Sequence, residues 1–429
     1  KNILYLNTHD IGRFLQTYGY PVETPRLLEF SRDAMAFSQM YCASPTCSPS
    51  RGALLTGQYP HNNCLIGLSH RGFCINGSHH LASYLKGQGY ETVLSGVQHE
   101  IKLHEEKKLG YEKCLNPENY YRHDMPQSKL YTWQDELAAG NAIQYLKTRE
   151  NTEKPFFLAV GFGCTHREYP VVPDDYETDY DQVPKALPNV KEVRKDMAGM
   201  QIAVQTVDRL CGEILDTLKE IGEYENTLIF FTTDHGLPFP MMKCNLYDDG
   251  MGVAFLFRYP GMKNRHTVSD ALLSQIDVLP TICDIFPVPE PEWLQGVSFL
   301  PVIEGEKEQV REEVIGEINY HVAYEPVRCV RTRRYKYICR WDNGYAFVPP
   351  THIDDSPSKE VFRENGYFEQ ELPKEELYDV CLDPQERKNL AEDAGAQEIK
   401  KEMQERLSTW QQETGPGCHT TRRSCHETR

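Results

Sequence analysis

Four short apolar runs end in the same way, and that repetition limits the fold more than any other property of the chain. Residues 2–7 lead into Thr8-His9-Asp10, residues 91–95 into Gly96-Val97-Gln98-His99, residues 155–162 into Gly163-Cys164-Thr165-His166, and residues 226–233 into Asp234-His235-Gly236. Apolar runs of this length read as strands buried on both faces of a largely parallel sheet. Stretches of helical spacing lie between them. Leu137, Ala138, Ala142, Ile143 and Leu146 mark one over 133–150; Met200, Val204, Val207, Leu210, Cys211, Ile214 and Leu218 mark a longer one, with Gly222 just past its end. Strands alternating with helices give an open α/β sheet, and such sheets place their sites at the carboxyl ends of the strands. The histidines and aspartates are therefore expected together at one sheet edge.

The stretch Cys47-Ser48-Pro49-Ser50-Arg51-Gly52-Ala53-Leu54-Leu55-Thr56-Gly57 reads as a loop entering a short helix. Pro49 falls in the first turn, where a missing N–H breaks no helical bond. The free N–H groups of a helix start attract anions, and Arg51 adds a guanidinium fork at the same place. Cys47 is then either a nucleophile at the mouth of an anion pocket or a structural thiol on a tight turn. Earlier in the chain, Thr24 and Pro25 suit the start of a helix with Leu27, Leu28, Phe30, Ala34 and Phe37 on its apolar side.

The character of the chain changes after about Gly305. Residues 313–319, 327–331 and 335–340 alternate or run apolar, which suits an antiparallel sheet. A helix is expected over 397–412, followed by a polar tail. This divides the chain into a main domain, 1–305, and a subdomain, 306–429. The polar, aromatic stretch 101–133 is expected to be an insertion shaping a pocket rim, and 173–190 a loop.

Hydrophobic residues make up 40% and charged residues 25% of the 429, which fits a soluble globular chain. No apolar run is long enough to span a bilayer. The formal net charge of −17 argues against a general nucleic-acid binder, whose footprint is a basic face. An anionic substrate stays open, because the field in a pocket can oppose the global one. The 14 cysteines are scattered and form no Cys-x-x-Cys pair. Most are expected to be buried free thiols in a reducing compartment; Cys418 and Cys425 stand close enough in the tail to pair. Lys1-Asn2 leads straight into a strand with no secretory signal, which points to the cytoplasm. A trimmed N-terminus would instead allow a secreted or periplasmic location.

Cys-x-Pro-Ser-Arg followed by Gly-Ala-Leu-Leu-Thr-Gly resembles the signature of the type I, formylglycine-dependent sulfatases of the alkaline phosphatase superfamily. The likeness extends from Asn2 to about Trp410. His9-Asp10 stands where the family commonly carries two aspartates, and Asp234-His235 where it carries Asp-Asn or Asp-His. Lys243, before Asn245-Leu246-Tyr247, looks like the family's lysine. His99 matches the family's Gly-Lys-x-His, but Val97 takes the place of the lysine. His166 is similar to the histidine after the third strand. Glu376-Leu377-Tyr378-Asp379, with Asp383-Pro384 and Asn389-Leu390-Ala391, resembles the C-terminal signature. The wording of Leu237-Pro238-Phe239-Pro240 looks closest to heparan N-sulfatases (sulfamidases) and their bacterial relatives.

The resemblance implies an α/β fold, an alkaline-phosphatase-like sandwich with a central mixed, mostly parallel sheet and a small C-terminal antiparallel sheet-plus-helix subdomain. It implies that a maturation enzyme oxidises Cys47 to formylglycine. It also implies one divalent cation on Asp10, Asp234, His235, the oxidised Cys47 and His9. That ion is calcium by family, with manganese or zinc open because His9 and His235 offer nitrogen. Arg51, His99, His166 and Lys243 would grip the sulfuryl group of a sulfated carbohydrate, with His166 as general acid. A hydroxyl of the hydrated aldehyde would attack sulfur, and the second would later expel sulfate. Val97 removes one charge-assisted anion contact, a loss of about 1.5–3 kcal/mol. Val97 and His235 keep open a phosphonate monoester or phosphodiester hydrolase. His9 and Val97 keep open a non-catalytic glycan-binding homologue. No nucleic-acid or membrane partner is expected, and no feature of the sequence sets the oligomeric state.

Overall fold

All seven residues of β1 (Asn2–Thr8) are buried, and they face two ways. Ile3 and Tyr5 enter one hydrophobic core while Leu4 and Leu6 enter another, as the two-residue period of a strand requires. The computed structural model describes residues 1–122, 124–149, 153–286, 288–341 and 347–415. Its main sheet has eight strands: β1, β2 (Met35–Phe37), β3 (Glu91–Gly96), β4 (Lys113–Cys114), β5 (Phe156–Gly161), β6 (Thr227–Thr233), β7 (Phe255–Arg258) and β8 (Thr267–Ser269). Their spatial order is β4-β3-β5-β1-β6-β7-β2-β8. Only β7 runs antiparallel to its neighbours. The mostly parallel sheet expected from the apolar runs is thus present.

Helices cover both faces. The Ile3 side packs against α2 (Cys47–Thr56), α3 (Leu81–Gly87) and α6 (Val278–Ile285). The Leu4 side packs against α1 (Pro25–Ser31), α4 (Gln127–Thr148) and the 30-residue α5 (Lys191–Glu220). A second, antiparallel sheet of four strands runs in order β9 (Glu313–Tyr320), β10 (Tyr324–Thr332), β11 (Tyr335–Arg340) and β12 (Glu375–Asp379). Between α6 and β9 the chain crosses the expected division near residue 305; α7 (Pro357–Glu364) comes before β12. Met403, Leu407 and Trp410 of α8 (Gln397–Thr414) pack with Ile315, Val330, Tyr337 and Leu377 of the small sheet in a third core. That sheet also reaches the Cys47 segment: Glu317 N donates to Ala43 O at 2.9 Å, and the Glu317 carboxylate accepts from His61 at 3.0 Å.

Several boundaries differ from the sequence reading for identifiable reasons. α1 stops at Ser31, because Met35 and Ala36 are claimed by pairing with Phe257 and Leu256. Ala34 and Phe37 therefore lie outside the helix. α4 starts at Gln127, directly after Pro126, six residues before the periodic pattern becomes clear. Lys113 and Cys114, within the expected rim insertion, pair with Val93 and Leu94 as an edge strand. Ten cysteines among the described residues are free thiols, whereas Cys64 and Cys74 are disulfide-bonded. Cys418 and Cys425 lie outside the described residues, with most of the expected tail. Among the described residues, no helix is long and apolar enough to cross a membrane.

Candidate active site

Strand register assembles the site. Asn7 lies beside Gly161 of β5 and Thr232 of β6, so β1, β5 and β6 end level with one another. The next residues, His9-Asp10 and Asp234-His235, leave the sheet side by side. Asp10 sits at φ +53, a left-handed conformation uncommon for a residue with a Cβ and concentrated at functional positions. Its N–H donates to Asp234 Oδ1 at 2.9 Å, which fixes the turn. Gly236 is needed for the turn after β6: a Cβ there would stand 1.9 Å from Asp249 O.

Cys47 is the first residue of α2, and every residue of that helix is buried. Ser50 Oγ donates to Asp234 O, and Gln275, itself bonded to Thr233 O, accepts from Ser50 at 3.2 Å. The helix start is thereby pinned to the end of β6, with Cys47 Sγ 3.4 Å from His235 Nε2. Burial pushes the Cys47 thiol up despite Lys243 nearby, so the unmodified side chain stays neutral and a poor nucleophile.

Arg51, one turn on, is buried and its guanidinium is turned to the protein. Nε donates to Asp234 Oδ2 at 3.2 Å, Nη1 to Asn7 Oδ1, and Nη2 to Thr8 O at 3.2 Å. It binds the ends of β1 and β6 together. Lys243 Nζ lies 2.9 Å from Asp10 Oδ2 and 3.5 Å from Asp354 Oδ2. Burial alone would raise both aspartates at the centre. The charges of Lys243, His235 and His166 hold Asp10 below its usual value, and those of His235, Arg51 and His9 hold Asp234 well below.

His235 Nδ1 is 3.0 Å from Gly236 O and must donate to it, because a carbonyl only accepts. In the neutral ring Nε2 is then bare. It faces Asp10 Oδ1 at 3.2 Å and Asp234 Oδ1 at 3.7 Å, and Asp10 Oδ1 is buried without a hydrogen-bond partner. Lone pairs so arranged repel one another unless a proton or a cation lies among them. Donor atoms of His9, Asp10, Cys47 and Asp234 also lie within 4.8 Å of one another. Two carboxylates, imidazole nitrogen and an oxygen in place of the Cys47 sulfur fit a divalent cation.

Three histidine rings line one wall. His9 lies 4.5 Å from His99 and 5.4 Å from His166, centroid to centroid. His9 Nδ1 is 2.9 Å from Asp234 Oδ2; burial, with Arg51 beside it, brings its pKa down to about 4. Burial, then the charges of His9 and Arg51, holds His99 well below its usual value. His166 Nδ1 donates to Arg167 O at 2.6 Å, leaving Nε2 as its outward nitrogen. The His166 loop is hung from both sides. Asp135 of α4 accepts from Gly163 N at 2.7 Å and Cys164 N at 2.8 Å, and Thr165 Oγ1 bonds Thr8 Oγ1 at 2.6 Å. Val97 is buried against Gly163 and brings no charge. Arg167 is buried and forms a two-pronged ion pair with Asp196.

All nine expected site residues therefore come together: His9, Asp10, Cys47, Arg51, His99, His166, Asp234, His235 and Lys243. Sequence reasoning missed Asp354, whose carboxylate reaches Lys243 from just before α7. Its only signal was an Asp-Asp pair before a Ser-Pro helix start, which reads equally well as an ordinary cap.

The family model described as Sulfatase matches residues 1–288, and that described as N-sulphoglucosamine sulphohydrolase, C-terminal, matches residues 239–348. Human N-sulphoglucosamine sulphohydrolase is 29% identical, covering 96% of this chain and 90% of that protein. An ulvan-active sulfatase of Formosa agariphila is 26% identical, covering 95% of this chain and 74% of that protein. A solved 2-O GAG sulfatase superposes with a TM-score of 0.74 at 23% identity, over 96% of this chain and 92% of the other. The phosphonate monoester hydrolase of Agrobacterium radiobacter gives 0.73 at 20% identity, over 97% and 96%. Those two likenesses establish the fold, the alkaline-phosphatase-like sandwich. With the family model spanning residues 1–288, two thirds of the chain, on top of this geometry, the chain belongs to the sulfatase family of hydrolases.

Proposed function

We propose that this sulfatase is a divalent-cation-dependent enzyme that cleaves a sulfate ester or sulfamate on a sulfated sugar, with Cys47 matured to formylglycine. One observation carries the reading: Asp10, Asp234 and His235 converge on Cys47 at a buried helix start, with donor atoms facing one another. The names of the relatives, which specify N-sulphoglucosamine and ulvan, support a sulfated carbohydrate as substrate.

Asp10, Asp234, His235 and the oxygen at position 47 would hold the cation, with His9 behind Asp234. When bound, it supplies charge neutralisation and a lowered pKa for the attacking hydroxyl, which the hydrated formylglycine provides. The chain's own side chains do the rest. Lys243 presents a fixed ammonium to the sulfuryl oxygens as negative charge grows on them. Arg51 keeps Asp234 oriented. His166, its Nδ1–H held by Arg167 O, delivers a proton from Nε2 to the leaving oxygen or nitrogen. His99 lies along the same wall and contacts the leaving side.

Metal-loaded protein incubated with sulfated glycosaminoglycan fragments and with ulvan oligosaccharides is expected to release sulfate. The Cys47 peptide is expected to carry the aldehyde mass. Sulfate release with an unmodified Cys47 would defeat the formylglycine part, and cleavage of another ester without sulfate release would defeat the whole. The second reading is a phosphonate monoester or phosphodiester hydrolase; the uncharged Val97 favours it by removing a cation from the anion pocket. Turnover of an aryl sulfate against an aryl phosphonate in one buffer separates the two. We further propose domain limits of 1–305 and 306–429, which the separate four-stranded sheet formed by residues 313–379 supports. The disulfide-bonded Cys64 and Cys74 favour a secreted or periplasmic location over the cytoplasm.

A further inference from the structure

Asp354 stands where the small-sheet part of the chain meets the anion pocket. Its carboxylate lies within 4.8 Å of donor atoms of Asp10 and His166. Oδ2 is 3.5 Å from Lys243 Nζ yet buried without a hydrogen-bond partner, while the side chain as a whole is 38% exposed. The position is braced. Lys359 Nζ donates to Ile353 O at 2.8 Å and to Asp355 Oδ1 at 2.7 Å. Ser358 Oγ donates at 2.6 Å to Asp196, the carboxylate that also grips Arg167 next to His166. The loop bearing Asp354 and the loop bearing His166 thus share one anchor.

Two buried histidines, His321 and His352, come from the same part of the chain. His321 is 8% exposed and its Nδ1 has no partner; His352 is 4% exposed and its Nε2 has none. Their rings meet at 5.7 Å, and His352 Nδ1 is 3.0 Å from Glu325 Oε2. After burial itself, the charges that act on His321 are those of Lys243, His352, Asp354 and His235. Buried polar atoms left without partners await a ligand or ordered water.

The chemistry of this wall differs from that of the anion pocket. A second cation is not called for, because the Lys243 ammonium already lies between Asp10 and Asp354. Lys243 and His166, with burial opposing them, keep the Asp354 carboxyl ionised. An ionised carboxylate only accepts hydrogen bonds and repels anions. Its two oxygens match neighbouring O–H groups on a ring.

We propose that Asp354 is a specificity-determining residue that accepts hydrogen bonds from free hydroxyls of the sugar carrying the scissile sulfuryl group, in a subsite lined by His321 and His352. The inference rests on the sulfatase reading and deepens it. The sugar body is uncharged where it meets Asp354, and a second sulfate or a carboxylate there is rejected.

The test uses full-length, metal-loaded protein with matured Cys47. Its probes are 4-nitrophenyl sulfate, which has no hydroxyl, and a panel of sulfated mono- and disaccharides, including glucosamine N-sulfate and glucosamine 6-sulfate. In D354N and D354A the ratio of sugar to aryl kcat/KM is expected to fall about 10- to 100-fold, mainly through KM. O-Methylation beside the scissile position should weaken binding to the native enzyme and make little further difference to D354A. An unchanged ratio, whether both activities fall together or neither moves, makes Asp354 only a brace for Lys243 and overturns the inference. Native protein that cleaves the aryl sulfate but no sugar of the panel overturns it too. Native protein that releases no sulfate from any probe overturns the sulfatase reading itself, a failure visible before any variant is made.

Discussion

Lys243 Nζ and Asp10 Oδ2 are 2.9 Å apart, and both side chains are buried. Burial alone would strip the ammonium of its proton; Asp10 and Asp354 hold its pKa well above the usual lysine value. Lys243→Met removes this fixed charge and leaves Asp10 without its partner. Breaking a buried pair from one side costs about 3–5 kcal/mol. Urea titration should show that loss, unless bound metal compensates, and kcat/KM on an aryl sulfate should fall about 10²–10³-fold. Full activity in a folded Met variant would remove Lys243 from the mechanism.

Asp135 gives a pH dependence that can be isolated. Burial raises its carboxyl to about 7 even though the N–H groups of Gly163 and Cys164 pull it down. The unfolded value is 3.8, so between the two the folded protein binds the extra proton. The contribution of Asp135 to stability is therefore full below about pH 4, declines up to about pH 7, and is level above. Unfolding free energies of native protein minus Asp135→Asn, measured from pH 4 to 8, should follow that decline. A difference that rises with pH would show that the amide bonds, not burial, dominate.

The Arg167–Asp196 pair should affect rate through position. Asp196→Asn weakens the two-pronged contact and the Ser358 anchor together. kcat should fall more than KM rises, because His166 loses its backing while Lys243 and the proposed metal ligands are untouched. Arg167→Lys, which keeps charge but not the fork, should recover only part of the rate. Equal changes in kcat and KM, with complete recovery in the lysine variant, would argue for a purely electrostatic role.

Metal removal is testable without turnover. Exhaustive chelation should lower the melting temperature, and calcium should restore it. A ligand at 100 times its Kd stabilises the folded state by about 2.7 kcal/mol. Manganese and zinc in parallel show whether His235 and His9 shift the preference toward nitrogen-seeking ions. No response to any of the three would leave the facing lone pairs of Asp10, Asp234 and His235 without their cation.

Strand ends were legible because burial and chemistry meet there within a few residues. An apolar run gives the strand, and the polar residues after it give the edge, so Asp10, His99, His166 and Asp234 could be placed without knowing their neighbours. The partners of Arg51 could not be read, since Asn7, Thr8 and Asp234 stand at strand ends far away in sequence. Asp354 was invisible for the same reason: its role comes from Lys243 and His166, which arrive from other parts of the chain. The place of Arg167 was hidden likewise, because Asp196, which pairs with it, arrives on α5. The early start of α4 was hidden because Pro126, not periodicity, sets it.

α2 has no exposed residue from Cys47 to Thr56, and that sealing dictates when its first side chain can be altered. A catalyst working on a cysteine must surround the peptide on which it acts, and a helix walled in on every side offers nothing to hold. The oxidation proposed for Cys47 would thus belong to the nascent chain, before the sheet closes over it. Once folded with its thiol, a molecule stays committed to that state, and only unfolding gives it a second chance.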